Sequence, residues 1–211
     1  MPERSNPIET ATDVNVVHII DDDERIRSAL LELFGSSGIP AEAFVDTADF
    51  DERGDPEAVG CLLLDVKLPG MSGIEYQRKL SDAGFELPIV FMTGDGDVPT
   101  SVTAMKAGAV DFLLKPFEVD DLLCAVAAAM EEGKKQRDMA LRRKHARQCA
   151  ASLTPRERQV MKLVTEGLMN KQAAYELGIS EIMVKLHRAS AMKKMQARTF
   201  SDLVRKSELL Q

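Results

Sequence analysis

The sequence predicts an α/β domain built on a doubly wound, five-stranded parallel sheet, followed by a small all-α domain of four helices. Three observations lead there. Between Val14 and about Met130, five short apolar runs alternate with amphipathic stretches. From residue 152 onward, apolar positions at helical spacing follow one another between caps and glycines. The charge also reverses: residues 1–130 carry 25 acidic and 9 basic side chains, whereas residues 131–211 carry 9 and 18.

The five runs are VVHII (16–20), AFV (43–45), CLLLD (61–65), PIVFMT (88–93) and DFLLK (111–115). Each is short, aliphatic or β-branched, and bounded by turn formers, as expected of strands buried on both faces. The stretch 24–37 places Ile26, Leu30, Leu33 and Phe34 at helical spacing. Residues 72–83 and 97–107 are helical too, and the helix after the second strand has the weakest signal. In such a sheet, ligands bind outside the carboxyl ends of the strands. Asp21, Asp22 and Asp23 follow the first run, Asp65 ends the third, Thr93 the fourth and Lys115 the fifth. These strand ends supply acid, hydroxyl and amine to one crevice.

Residues 120–149 contain no proline and one glycine, Gly133. Ala, Met, Leu, Lys, Arg and Gln dominate, so the fifth helix is expected to run on through a largely helical linker, 131–151. The alternative is that Gly133 ends the helix and a flexible linker follows. In LTPRERQVMKLV, Thr154 is an N-cap with Pro155 at N1 and Glu157 at N3, a capping-box start. Val160, Met161 and Val164 form its apolar stripe, and Gly167 closes it. NKQAAYELG (170–178) is a short helix stopped by Gly178, Ser180 caps a longer basic one, and TFSDLVRKSELL supplies a fourth. A short helix, a tight glycine turn and a longer basic helix make a helix-turn-helix.

Composition excludes several classes. No apolar run approaches the ~20 residues that span a bilayer, so no membrane partner is expected. The polar segment 1–13 has no signal-peptide core and is expected to be a flexible tail, which places the protein in the cytoplasm. Cys61, Cys124 and Cys149 match no metal or redox motif. The acidic half would repel a polyanion and the basic half would attract one.

A carboxylate nucleophile can accept a phosphoryl group as an acyl phosphate, a reaction governed by positioning and charge neutralisation. Neighbouring carboxylates would repel the incoming anion unless a hard divalent cation with oxygen ligands intervened. Asp21, Asp22 and Asp65 can supply such ligands, Lys115 can pair with the nucleophile or the phosphoryl oxygens, and Thr93 can donate a hydrogen bond. Each piece alone is common; the combination at successive strand ends is not.

Residues 14–130 resemble the response-regulator receiver family in HIIDDDE, LLLDVKLPGMSG, IVFMTG and KAGAVDFLLKPF. Residues 152–205 resemble the LuxR-type helix-turn-helix in LTPRERQVMKLVTEGLMNKQAAYELGIS and VKLHRASAMKKM. The pairing is similar to the FixJ branch of the NarL/FixJ response regulators. The resemblance implies a flavodoxin-like receiver over 14–130 and a DNA-binding domain over 152–211.

It further implies that Asp65 is the phosphoacceptor. Mg2+ then has Asp22 as its direct ligand and Asp21 as a water-mediated one, with Asp65 and the backbone carbonyl of Lys67 completing the protein's share. Thr93 becomes the switch hydroxyl, Phe112 the aromatic switch and Lys115 the site lysine, with a cis Lys115–Pro116 bond. Lys67 and Asp95 flank the site and tune the lifetime of the phosphoryl group. Phosphorylation is expected to shift the population towards a dimerising state through a face that includes Val98, Val102, Met105 and Lys106.

In the basic helix 181–196, Val184, Ala191 and Met195 share the packing face. The resemblance assigns Lys185, Leu186 and Ala189 to the major groove, with Lys185 as the base-edge donor. His187, Arg188, Lys193 and Lys194, with Lys171, are expected at or beside phosphates; for His187 the alternative is a partly buried histidine within the domain. Met183 departs from the threonine common at that position. The last helix carries Phe200, Leu203 and Val204 at i, i+3, i+4; the resemblance implies that it dimerises the DNA-binding domains on a two-fold operator. The implied partners are a cognate sensor histidine kinase, double-stranded promoter DNA, a second copy on phosphorylation and, as a candidate, RNA polymerase. The protein is not expected to be an enzyme beyond its own phosphorylation and slow dephosphorylation. A structural dimerisation module that is never phosphorylated, and a phosphohydrolase with an aspartyl-phosphate intermediate, are the rival readings.

Overall fold

The computed structural model describes residues 15–55, 59–85, 87–94 and 98–210, with only the backbone at 98–100. The expected tail over 1–13 and Asp95 lie outside the described residues. The chain divides after Arg137 into two compact units.

The first unit alternates β1 (Val16–Ile20), α1 (Glu24–Ser36), β2 (Ala41–Phe44), α2 (Thr47–Arg53), β3 (Gly60–Asp65), α3 (Gly73–Asp82), β4 (Ile89–Thr93), α4 (Val98–Lys106) and β5 (Asp111–Leu114). The strands form one parallel sheet in the order β2-β1-β3-β4-β5. Every residue of the central β3 is buried. One face of the sheet packs Ile20, Leu62, Leu64 and Phe91 against Tyr76, Leu80 and Ala104. The other packs Val17, Ile19, Leu63 and Val90 against Leu30, Phe34, Leu122 and Val126. Ile26 and Leu33 join this second cluster, so α1 buries the stripe its spacing predicts.

Two boundaries differ from expectation. The second strand begins at Ala41 and stops before Val45, whose N–H donates to Asp49 Oδ2 at 3.0 Å and so belongs to the cap of α2. The fifth stops at Leu114, although the N–H of Lys115 still donates to the Thr93 carbonyl at 2.7 Å.

α5 spans Val119–Ala151 without interruption. Gly133 does not end it. A Cβ there would stand 2.7 Å from the Gly60 carbonyl oxygen, so this glycine permits close approach of helix and sheet.

The second unit takes the last turns of α5 with α6 (Pro155–Thr165), α7 (Asn170–Leu177), α8 (Glu181–Lys194) and α9 (Phe200–Glu208). Thr154 caps α6 in a capping box with Glu157. Gly178 ends α7 in the left-handed region (φ 64°), the turn that leads into α8. Val160, Val164, Ala173, Ala174 and Val184 form one core cluster; Cys149, Leu153, Met161, Ala191, Met195 and Leu203 form another. Lys206 reaches from α9 to the Met195 and Gln196 carbonyls at 3.1 and 2.7 Å, capping the end of α8. Among the described residues no helix is long and apolar enough to cross a membrane.

Candidate functional site

The parallel register, with Ile20 opposite Leu64, Asp65 opposite Met92 and Thr93 opposite Leu114, brings the ends of β1, β3, β4 and β5 to one edge. Asp21, Asp65, Thr93 and Lys115 therefore sit where the sheet opens. Lys115 Nζ lies 2.6 Å from Asp21 Oδ2 and 2.6 Å from Asp65 Oδ1. The second oxygen of Asp65 accepts from the Lys67 N–H at 2.7 Å, and Asp21 Oδ1 accepts from the Asp23 N–H at 3.0 Å. Arg27 Nη1 donates to the Asp21 carbonyl at 2.7 Å. Asp21, Asp65 and Thr93 are buried, while Asp22 is exposed.

The electrostatics follow from that burial. Desolvation pushes the Asp21 carboxyl above its ordinary value, outweighing the hydrogen bond from Lys115. Burial acts to lower Lys115, but its hydrogen bonds to Asp21 and Asp65 prevail and hold the ammonium above its ordinary value. Two carboxylates facing one ammonium leave the crevice with surplus negative charge. Carboxylate oxygens that converge on one cationic centre, beside the backbone of Lys67, suit a hard divalent cation. Among the described residues no three His, Cys, Asp or Glu side chains are grouped closely enough to hold a metal; Asp21 and Asp65 are buried at the crevice and Asp22 is exposed.

The supporting backbone is equally specific. The Lys115–Pro116 bond is cis. A Cβ on Gly73 would lie 2.3 Å from the Asp65 carbonyl oxygen, so the first residue of α3 must be glycine for the helix to start against the loop bearing Asp65. Sequence reasoning passed over Gly73, although the glycine pair of LPGMSG was its signal. Phe112 is half-buried and packs against the core, its ring centroid 6.4 Å from that of Phe91.

In the second unit, α7, Gly178 and α8 make the helix-turn-helix. Val184, Ala191 and Met195 are fully buried, so the opposite side of α8 faces out. Lys185, Leu186, Ala189 and Lys193 are exposed, as is Lys171 on α7; His187 is half-buried. Lys185 pairs along the helix with Glu181 at 3.0 Å.

Two expected phosphate contacts have partners inside the unit. Lys194 Nζ donates to Glu157 Oε2 at 2.7 Å, and Arg188 lays its guanidinium 4.4 Å from the Phe200 ring centroid while reaching Asn170 Oδ1 at 3.4 Å. Glu157 also accepts from Ser190 Oγ and the Thr154 N–H. Lys194 and Ser190 hold its carboxyl down at about 2, although it is buried among the helices. This hub ties the start of α6 to α8. Sequence reasoning found only its capping half.

Residues 17–127 match the family "Response regulator receiver domain", and residues 151–207 match "Bacterial regulatory proteins, luxR family". Nodulation protein W of Bradyrhizobium diazoefficiens is 47% identical over 195 residues, 92% of this chain and 86% of that protein. The transcriptional regulatory protein FixJ of Azorhizobium caulinodans is 41% identical and covers 90% of each chain. The solved structure of the response regulator StyR aligns with a TM-score of 0.76 at 44% identity, covering 92% of this chain and 98% of that one. With its doubly wound sheet, acidic crevice and helix-turn-helix, the chain belongs to the NarL/FixJ family of two-component response regulators, in which a receiver domain is joined to a LuxR-type DNA-binding domain, and it groups with the FixJ branch.

Proposed function

We propose that the protein takes a phosphoryl group from a sensor histidine kinase onto Asp65 and that this modification controls DNA binding by the C-terminal unit. The supporting observation is the single ammonium of Lys115 held 2.6 Å from both Asp21 and Asp65, at the mouth of the sheet. A carboxylate oxygen of Asp65 attacks phosphorus. The bond from phosphorus to the donor's imidazole nitrogen breaks, and that nitrogen leaves with the electron pair. Lys115 then turns from the Asp65 carboxylate to a phosphoryl oxygen, and Thr93 donates a hydrogen bond to another. Asp21, Asp22, Asp65 and the Lys67 carbonyl would hold Mg2+, which when bound neutralises charge on the phosphoryl oxygens.

Phosphorylation draws Thr93 towards the phosphoryl group, and Phe112 moves with it into the space beside Phe91. The output is dimerisation through the face of α4, β5 and α5, where Val102, Met105, Lys106, Leu114 and Val119 are exposed. A dimer presents two copies of α8 to a two-fold operator. Lys185, Leu186 and Ala189 meet the groove, and Lys171, His187 and Lys193 meet or flank phosphates; Arg188 and Lys194 position α8 from behind through Phe200 and Glu157. RNA polymerase is the further partner at the promoter.

The test is covalent labelling by acetyl phosphate and Mg2+, read by mass spectrometry of the intact chain, with dimerisation and operator affinity measured on the same sample. Wild type is expected to gain one phosphoryl group and to bind operator more tightly. Absence of the adduct, or an equal response from Asp65→Asn, overturns the reading.

A further inference from the structure

The outward face of α8 is unexpectedly apolar. Val184, Ala191 and Met195 are fully buried, which fixes the opposite side of the helix as residues 182, 186, 189 and 193. Three of these four are Ile182, Leu186 and Ala189. Ile182 is 70% exposed and Leu186 59% exposed, with Met183 on the flank at 41%. No side chain in this stripe offers a hydrogen bond until Lys193, one turn further on. Lys185, on the other flank, already faces Glu181 at 3.0 Å. Lys185 flanks the stripe and Lys193 ends it, both exposed. An apolar strip between lysines suits a polyanion that carries methyl groups on its floor.

From this arrangement, and resting on the reading of α8 as the DNA-contacting helix, we infer that the helix reads its operator chiefly by apolar contact between Ile182, Leu186 and Ala189 and the C5-methyl groups of thymine in the major groove. Hydrogen-bonding side chains would read guanine or adenine edges; Ile182, Leu186 and Ala189 have none to offer. Lys171 and Lys193 supply affinity to phosphates without sequence preference, and the methyl contacts supply most of the discrimination. The groove wall is the single chemistry in duplex DNA that matches branched aliphatic side chains, and the T methyl is the one apolar group it displays. 5-Methylcytosine carries the same methyl at the same place and is expected to substitute for thymine in these contacts.

The experiment uses the full chain treated with acetyl phosphate and Mg2+. An operator is first isolated by selection from a random duplex pool, and each thymine is then replaced singly by deoxyuridine, which removes the methyl and leaves every hydrogen-bonding group in place. Wild type is expected to lose about 3- to 5-fold in affinity at each thymine facing α8, the transfer value of one methyl group. Ile182→Ala and Leu186→Ala, both exposed and both compatible with the helix, are expected to lose that sensitivity at distinct positions while keeping the salt dependence of wild type. Uniform indifference of wild type to deoxyuridine overturns the inference while DNA binding itself stands. Failure to select any sequence, with no salt-dependent affinity for duplex, overturns the DNA-binding reading instead. If the two variants bind operator like wild type but fail to activate transcription with polymerase present, the stripe docks a protein and the inference is wrong.

Discussion

Glu157 is the residue whose loss should reach furthest from its own position. Its carboxylate accepts Ser190 Oγ at 2.6 Å, Lys194 Nζ at 2.7 Å and the Thr154 N–H at 2.7 Å, so one side chain completes the cap of α6 and fixes the back of α8. In Glu157→Ala, the capping half is worth about 1 kcal/mol. The bond from Ser190 to a charged acceptor is worth about 1.5–3 kcal/mol. The Lys194 pair adds less than about 1 kcal/mol, because that lysine is one-third exposed. Allowing for non-additivity, a loss of about 2–4 kcal/mol is expected, confined to the unit spanning 138–211. Glu157→Gln, which keeps an acceptor for Ser190, should lose about half as much.

The pH dependence of this loss has a definite sign. A carboxylate held at about 2 in the folded state contributes stability that is fully present above its ordinary value of 4.5 and declines as pH falls towards 2. The assay is urea unfolding of the full chain at pH 7, 5 and 3.5, with hydrogen exchange of α6 and α8 peptides at pH 7 to locate the effect. The deficit should be equal at pH 7 and 5 and smaller at 3.5. A deficit below about 0.5 kcal/mol at pH 7, one that has vanished by pH 5, or one spread equally over both units refutes the argument.

Four further outcomes follow from the same geometry. Gly73→Ala should place a methyl against the Asp65 carbonyl and slow labelling by acetyl phosphate at least tenfold, with little change in far-UV circular dichroism. Gly133→Ala gains about 1 kcal/mol of helix propensity but sets a Cβ 2.7 Å from the Gly60 carbonyl; a net loss of about 1–2 kcal/mol in urea is expected. Lys193→Ala should reduce the slope of log affinity against log salt by about 1, whereas Lys194→Ala should lower thermal stability and leave the slope alone. Mg2+ at about ten times its dissociation constant should stabilise wild type by about 1.4 kcal/mol, and Asp22→Ala should abolish that gain in a thermal melt.

Much of the receiver was legible because its signals are local. Strands buried on both faces read as apolar runs, and parallel topology forces their carboxyl ends to one edge, so Asp21, Asp65, Thr93 and Lys115 could be gathered before any coordinate was known. The caps at Thr154 and Ser180 and the stop at Gly178 are local too. The β2 boundary was misplaced because Val45 looks like strand, while its N–H is taken by Asp49 four residues on.

What the sequence determined by itself was thus the order of elements, the edge of the sheet that holds the chemistry, and the family. What only tertiary structure decided was how individual side chains are engaged. Lys194 reads as one more exposed cation, yet its partner Glu157 is 37 residues away. Gly133 reads as a helix stop or as nothing, yet it is demanded by a carbonyl more than 70 residues earlier in the chain. Ile182 gave no signal of its own, yet it stands beside Leu186 on the outward face of α8, because Val184, Ala191 and Met195 fill the inner one. The reason is the same in each case. Periodicity and capping are set within a few residues, whereas pairing and exposure depend on which distant surfaces the fold brings together.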